Sequence, residues 1–367
     1  MQRSTPPAGR IAFAVLGLTG LATLAPAQAQ TVTVFGIADA ALRRVDNQGL
    51  PTVNSMVSGS NSTSRLGFRG QEDLGGGLWA GYHLEHGIVL DAGSPASSTM
   101  FFDRRSTISL GGKTWGELRA GRDFVPSYSN WGRFDPFSYV GVASASNFIS
   151  ATPQGPIRSA FGSAANTTVR SSNAVQWLLP AGWGGVNGEL MWAPREGGGA
   201  TSGQHDLRGL RLGWSDKTLE LSGAVTVSRN ALTDAAGSDF KDVALAGRVS
   251  LGPARVSLGA RRFRHAQARQ TNWLLGLWWR LGLGELPLSY NQADLSGRVG
   301  STAVDANDAR QLGVGYVHAL SRRSVVYATL SRLDNRGGAT WVLPGGASGL
   351  VAGGHSTGLE FGLRHSF

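Results

Sequence analysis

The stretch Leu359-Glu-Phe-Gly-Leu-Arg-His-Ser-Phe367 decides the fold class. Counting back from the end, Phe367, His365, Leu363, Phe361 and Leu359 are apolar or aromatic, whereas Ser366, Arg364, Gly362 and Glu360 are polar or small. A side-chain period of two describes a strand with one greasy and one wet face. A strand that ends on Phe suits a wall whose greasy face meets lipid and whose wet face lines a lumen. A half-buried strand of a soluble sandwich is the competing reading, and the rest of the chain separates the two.

The same alternation recurs from end to end. Val32, Val34, Gly36, Ala38 and Ala40 share one parity, and Thr33, Phe35, Ile37 and Asp39 the other. Leu219, Leu221, Val225 and Val227 alternate with Glu220, Ser222, Thr226 and Ser228, and Trp273, Leu275, Leu277 and Trp279 with Asn272, Gly276 and Arg280. Each segment is about ten residues long, enough for a tilted strand to cross a bilayer. Short turns, such as Gly75-Gly-Gly77, Gly252-Pro253 and Gly282-Leu-Gly284, alternate with long stretches such as 44–62 and 336–354. Trp115, Trp183, Trp214 and Tyr316 lie near segment ends, where an aromatic girdle belongs. The pattern predicts an all-β, transmembrane, antiparallel up-and-down barrel of about sixteen strands.

Composition fixes the compartment. Arg3 and Arg10, the apolar run 11–24 and Ala27-Gln-Ala29 read as a secretory signal peptide over 1–29, so the barrel domain is 30–367. No later run of about 18 apolar residues could form a spanning helix. Cysteine is absent, which removes disulfides and thiolate metal sites. Of 34 basic residues, 32 remain without Arg3 and Arg10, against 24 acids, a net charge of +8. They are scattered singly along strands of an exported chain, which argues against nucleic acid and for a basic lumen that attracts anions.

One connection, 124–169, has no sustained alternation and carries Pro126, Pro136, Pro153 and Pro156. A stretch this long without structure of its own is usually functional or disordered. Counted from the amino end it is the third extracellular loop.

No catalytic or metal constellation survives inspection. Gly354-His-Ser-Thr-Gly358 matches G-x-S-x-G, yet only Glu360 and His365 follow it, on an alternating strand rather than a strand–turn–helix. Gly112-Lys-Thr114 ends like a P-loop, but Thr107 stands where Gly is required. His83 and His86, three apart on a strand, face opposite sides and cannot chelate one metal. Neither a cofactor nor a metal is expected.

The run Ser64-Arg-Leu-Gly-Phe-Arg-Gly-Gln-Glu-Asp-Leu-Gly-Gly-Gly-Leu78 resembles the second-strand signature of the Gram-negative porins of beta-proteobacteria. Thr33-Val-Phe-Gly-Ile-Ala-Asp39 is similar to their first strand, Phe102-Asp-Arg-Arg-Ser-Thr-Ile-Ser-Leu110 and Gly121-Arg-Asp-Phe-Val-Pro126 to their fourth and fifth, and Phe134-Asp-Pro-Phe137 to the start of their third loop. The resemblance implies a homotrimer of sixteen-stranded barrels in the bacterial outer membrane, with the loop 124–169 folded into the lumen as the constriction. It implies arginines at the constriction facing that loop, here Arg65, Arg104 and Arg170. It also implies that Phe367, with Phe361 and Leu363, is the signal recognised for assembly.

Parity puts Arg65 and Arg69 inward independently, because Leu66 and Phe68 should meet lipid. At the fourth strand Ile108 and Leu110 as lipid-facing residues favour Arg105, whereas the family match favours Arg104; a bulge or rim position would reconcile them. Asp135 and Arg133 are the loop's own candidates, with capping of the turn at Pro136 an equal role for Asp135. Asp39, Glu117 and Arg119 join Arg69 as lumen-lining candidates. The expected function is passive diffusion of small hydrophilic solutes, anions favoured, across an outer membrane whose lipid surrounds the barrel. A substrate-specific channel for organic acids or phosphate-like anions is the alternative within the class. A barrel enzyme or adhesin is the alternative outside it, and neither a rim triad nor a passenger domain is legible.

Overall fold

In the computed structural model the alternating segments become sixteen antiparallel wall strands. They are β1 (Thr33–Asn47), β2 (Arg65–Gly75), β3 (Leu78–Val89), β4 (Arg105–Gly112), β5 (Gly116–Phe124), β6 (Arg170–Leu178), β7 (Val186–Ala193) and β8 (Asp206–Ser215). The second half comprises β9 (Leu219–Arg229), β10 (Phe240–Leu251), β11 (Ala254–His265), β12 (Ala268–Leu281), β13 (Gly284–Ser296), β14 (Ala309–Ala319), β15 (Ser324–Asn335) and β16 (His355–Ser366). The structure describes residues 32–150, 155–163, 165–195 and 205–367. The expected leader over 1–29 with its expected cleavage site, and positions 151–154 and 164 of the long connection, lie outside the described residues.

Each strand pairs with its successor, and β16 closes on β1 from Ile37↔Ser366 to Asn47↔Ser356. The eighteen paired segments of the sheet are these sixteen plus Val53–Ser58 and Ser94–Pro95. Val53–Ser58 continues β2 along the upper half of β1, so the expected loop 44–62 shortens to a connection at 48–52. Between the two pieces, residues 59–64 turn into the lumen. The Asp39 carboxylate accepts the Asn61 and Ser62 backbone N–H groups at 3.0 and 2.6 Å and the Tyr327 hydroxyl at 2.5 Å.

Pairing in register sorts every strand into two faces. Leu42 and Ile108, each 67% exposed, point outward, as do Leu245, Leu258, Leu275 and Leu312. Trp183, Trp214, Trp279 and Tyr316 form the outward aromatic rim near the short turns. The alternation of short turns and long loops holds with one exception: β11 and β12 are joined at the loop end by 266–267 alone. No described helix is long and apolar enough to cross a membrane.

The hydrophobic core sits inside the barrel, under the third loop. That loop carries three short helices, α1 (Pro126–Trp131), α2 (Asn147–Ser150) and α3 (Pro156–Phe161); α1 and α3 start on Pro, whose missing N–H costs nothing at a first helical position. Trp131, Phe134, Ile157 and Phe161 pack against Phe240, Phe263 and Leu274 of β10–β12, and Phe148 against Trp341 and Leu343 of the last loop. Fully burying each such side chain is worth roughly 1.5–3 kcal/mol, so the loop is held in place chiefly by its apolar face.

The barrel seam ends on the terminal residue. Gly36 and Phe367 exchange backbone hydrogen bonds at 3.0 Å in both directions. A Cβ on Gly36 would fall 2.2 Å from the Phe367 ring, so the ring lies directly over that glycine. Phe367→Ser should leave the seam uncovered and lower the amount of folded, heat-modifiable barrel in the outer membrane several-fold. Wild-type levels on an unboiled gel would refute that role.

Candidate pore constriction

The third loop crosses the lumen on a set of inward side chains. Thr226 and Asp242 hold Ser127, and the Ser257, Ser289 and Gln311 side chains donate to the carbonyls of Phe134, Ala143 and Ser144. Gln270 donates to the Phe148 carbonyl, and Glu360 accepts the Val142 N–H. The tip is Gly141 at φ +78°, where a Cβ would fall 2.4 Å from the Ser60 carbonyl oxygen. The anchors run from β9 to β16, so the loop fills that side and leaves the lumen open against β2–β6.

Beneath the loop lies a buried ion pair, Arg261 with Asp242, at 2.7 Å. Arg261 also donates to the Tyr139 hydroxyl at 3.1 Å and the Thr168 carbonyl at 3.5 Å. Two charges taken out of water are costly unless every remaining donor finds a partner, and the loop supplies those partners.

On the open side Arg65, Arg104 and Arg170 line one cavity of about 530 Å³ with Ser62, Tyr128 and Tyr139. Arg65 donates to the Ser62 hydroxyl at 3.1 Å and reaches Glu85 at 3.4 Å. Arg104 binds the same Glu85 oxygen through Nε. The Arg170 Nε donates to the Arg104 carbonyl at 2.8 Å, and its guanidinium sits 4.4 Å over the Phe124 ring. Phe124 stacks on Tyr128, which meets Tyr139 edge-on, so aromatic rings run from the wall to the loop. A register shift in the β5–β6 pair, with Asn173 at φ +57°, adjoins Arg170 and re-aims it. Arg65 and Arg104 share the Glu85 carboxylate, and Arg170 has no carboxylate within 4.0 Å among the described residues.

A second cavity, of about 350 Å³ and nearer the short turns, is lined by Arg69, Arg105, Arg119 and His83. Arg119 bridges Glu117 at 2.8 Å and Asp123 at 2.6 Å, and Arg105 donates to Asp123 at 2.9 Å. Arg69 has no carboxylate within 4.0 Å among the described residues and sits 5.3 Å over the Phe35 ring. No group of three metal-ligating side chains occurs among the described residues.

The sequence profile of the Gram-negative porins matches residues 12–338. Outer membrane porin protein 32 of Delftia acidovorans is 34% identical over 97% of this chain and 99% of its own length. The chain belongs to the Gram-negative porin family. An anion-selective porin from Comamonas acidovorans superposes on this porin with a TM-score of 0.76 at 30% identity, covering 92% of this chain and 100% of that one. An outer-membrane protein of Vibrio cholerae, solved in a trimer form, shares the fold with a TM-score of 0.63 at 12% identity, over 93% of this chain and 100% of that one. This porin is an outer-membrane barrel channel and not an enzyme.

In this porin the two arguments about the fourth strand are compatible. Arg105, the first residue of β4, faces inward opposite Glu85, and Arg104 precedes the strand, free of its parity, with its side chain on the same Glu85. The trio thus takes Arg104, and Arg105 belongs to the lower cavity. Arg133 lies elsewhere, beside Glu220 at 3.0 Å and under Arg248, on the β9–β10 wall. Asp39 faces inward but is covered by the 59–64 turn.

Asp135 adopts the turn-capping geometry. It is buried, and its oxygens accept the backbone N–H groups of Phe137, Tyr139 and Ala145 at 3.0–3.1 Å. Burial pushes its carboxyl up to about 6, against the pull of those three bonds. Sequence reasoning missed Glu85, Glu360 and the Arg261–Asp242 pair, although parity alone puts each of them on an inward face.

The native loop holds a proton that the unfolded chain releases near pH 4, so its stability falls as pH rises from about 4 to about 6. Asp135→Ala leaves three buried N–H groups without an acceptor, each worth about 1–3 kcal/mol. Proteolysis after Arg133 or Arg158 should accelerate at least tenfold with the barrel intact. Unchanged loop cleavage would show that the cap is dispensable.

Proposed function

We propose that this porin is a passive diffusion channel for small hydrophilic solutes that favours anions, with Arg65, Arg104 and Arg170 as the selecting group. The carrying observation is the count of charges in the passage that the loop leaves open: three cations, one carboxylate and no acid from the loop, whose only one, Asp135, is spent on backbone. Arginine stays charged at every working pH and is weakly hydrated, so it can replace part of an anion's lost hydration. At an effective dielectric of about 20 and a separation of about 6 Å, one guanidinium attracts a monovalent anion by roughly 3 kcal/mol. Salt screens this over a Debye length of about 8 Å, which leaves a preference strongest at low ionic strength. Arg69, Arg105 and Arg119 extend the basic wall toward the short turns and hand the anion on.

Arg133, Asp39 and Glu117 shape this lumen from its margins in the same reading. The chain works as a homotrimer, as the trimer form of the Vibrio cholerae barrel suggests, and it is exported by a leader over 1–29 that is cleaved before Gln30. Phe361, Leu363 and Phe367 serve as the assembly signal.

Reversal potentials across a salt gradient in a planar bilayer test the reading. Wild type should select anions, and Arg65→Gln should shift the reversal potential toward zero, more at low salt than at high. Arg336→Gln, in the last loop, should do much less. Equal potentials for Arg65→Gln and wild type at low salt would remove the trio from the constriction, and cation preference in wild type would overturn the charge argument.

A further inference from the structure

The outer wall carries a second basic cluster that the pore does not use. Lys241 of β10 pairs directly with Arg264 of β11, and Arg264 with Arg269 of β12. The three form a row across three strands, and Arg262 stands one level below, opposite Val243 and Thr271. All four are exposed, whereas their chain neighbours Asp242, Arg261 and Gln270 are buried inside the barrel. Directly opposed side chains stand about 4.5–5.5 Å apart at Cβ, and like charges in that position are destabilising.

No carboxylate pairs directly with the row. None of the four has one within 4.0 Å among the described residues. The acids nearby are engaged: Asp239 binds Arg229 through both oxygens at 2.6 and 3.0 Å, Asp242 is turned inward onto Arg261, and Asp294 accepts from Gln292 at 2.7 Å. On the same rim Arg310 and Arg332 share Asp334 at 3.8 and 2.9 Å, so the chain supplies a counter-charge there and withholds it here.

The place of the cluster says what should supply it. Below the row the outward face becomes apolar through Val243, Leu245, Leu258 and Trp273. From Trp273 to Leu281 the outward residues of β12 cover about 27 Å of strand at ~3.4 Å per residue, about 20 Å of height on a strand tilted by about 40°, which takes up most of the apolar band of about 25 Å. The row is therefore level with headgroups on the long-loop side, the outer leaflet. A cavity of about 330 Å³ there has Lys241, Arg262, Arg264 and Thr271 as its polar side and Leu245 and Trp273 as its floor. The connection above it is 266–267 alone, too short to roof it.

We propose that Lys241, Arg262, Arg264 and Arg269 bind the phosphate-bearing sugar headgroup of an outer-leaflet glycolipid, whose acyl chain lies on Leu245 and Trp273. The polar wall over an apolar floor fits an amphiphile better than a free anion. Bound phosphate removes the repulsion of the row, so the lipid stabilises this sector of the barrel.

The test reconstitutes the full barrel in phosphatidylcholine vesicles containing diphosphoryl lipid A, its dephosphorylated form, or neither, and follows thermal unfolding by the mobility of the folded band. Diphosphoryl lipid A should raise the unfolding temperature of wild type by several degrees, and dephosphorylated lipid A or inorganic phosphate should not. Lys241→Gln/Arg264→Gln/Arg269→Gln should lose that rise while unfolding no earlier than wild type in phosphatidylcholine alone. Should the triple variant fail to fold, Arg264→Gln alone should lose about half the rise. An equal rise in wild type and variant, or an equal rise with inorganic phosphate, overturns the proposal. Loss of an oligomer band in the variant with the lipid effect intact would make the patch a protein contact and also overturn it.

Discussion

In hydrocarbon every backbone N–H and C=O must find its partner within the protein, and a sheet meets that demand only by leaving no edge. The seam between β16 and β1 is where this chain satisfies it. Its register runs from Ile37↔Ser366 to Asn47↔Ser356, and the terminal Phe367 completes it by exchanging backbone bonds with Gly36. Closure makes the two faces of every strand inequivalent. Outward positions meet lipid and inward positions meet water, and one residue's shift in register would exchange them all.

A closed wall of this size encloses more space than side chains can fill, so the third loop decides what the lumen is. It is held by an apolar face on β10–β12 and by polar side chains spread from β9 to β16. Its attachment to one side leaves the passage against β2–β6, where the arginines are. The buried Arg261–Asp242 pair beneath the loop uses the same residue type for another purpose. There the charge is matched and each guanidinium nitrogen has a partner, which adds support and no field, whereas Arg65, Arg104 and Arg170 line the cavity with only Glu85 to offset them and keep an excess of positive charge there.

Arg261 and Arg262 are neighbours in the chain and face opposite media. One is fully buried under the loop against Asp242, and the other stands exposed on the outer wall beside Thr271. An inventory of basic residues says nothing about this division, which comes from parity once the register is known. The excess of Arg over Lys suits both faces, since guanidinium stays charged and tolerates partial dehydration.

The sequence by itself determined the alternation and with it the strands, the outward Leu and Trp positions and the inward direction of Arg65 and Arg69. Parity is a property of neighbouring residues, so it needs no knowledge of the fold. The terminal Phe, the sixteen strands and the long third connection were legible for the same reason. Only the tertiary structure decided that Arg104 escapes its strand to meet Glu85, that Asp135 caps backbone and that Arg133 lies with Glu220. It likewise decided that Lys241, Arg264 and Arg269 form one row. Those contacts join residues far apart in the chain, and they depend on a loop that folds back through the barrel and on registers set strand by strand. No local pattern encodes such distances.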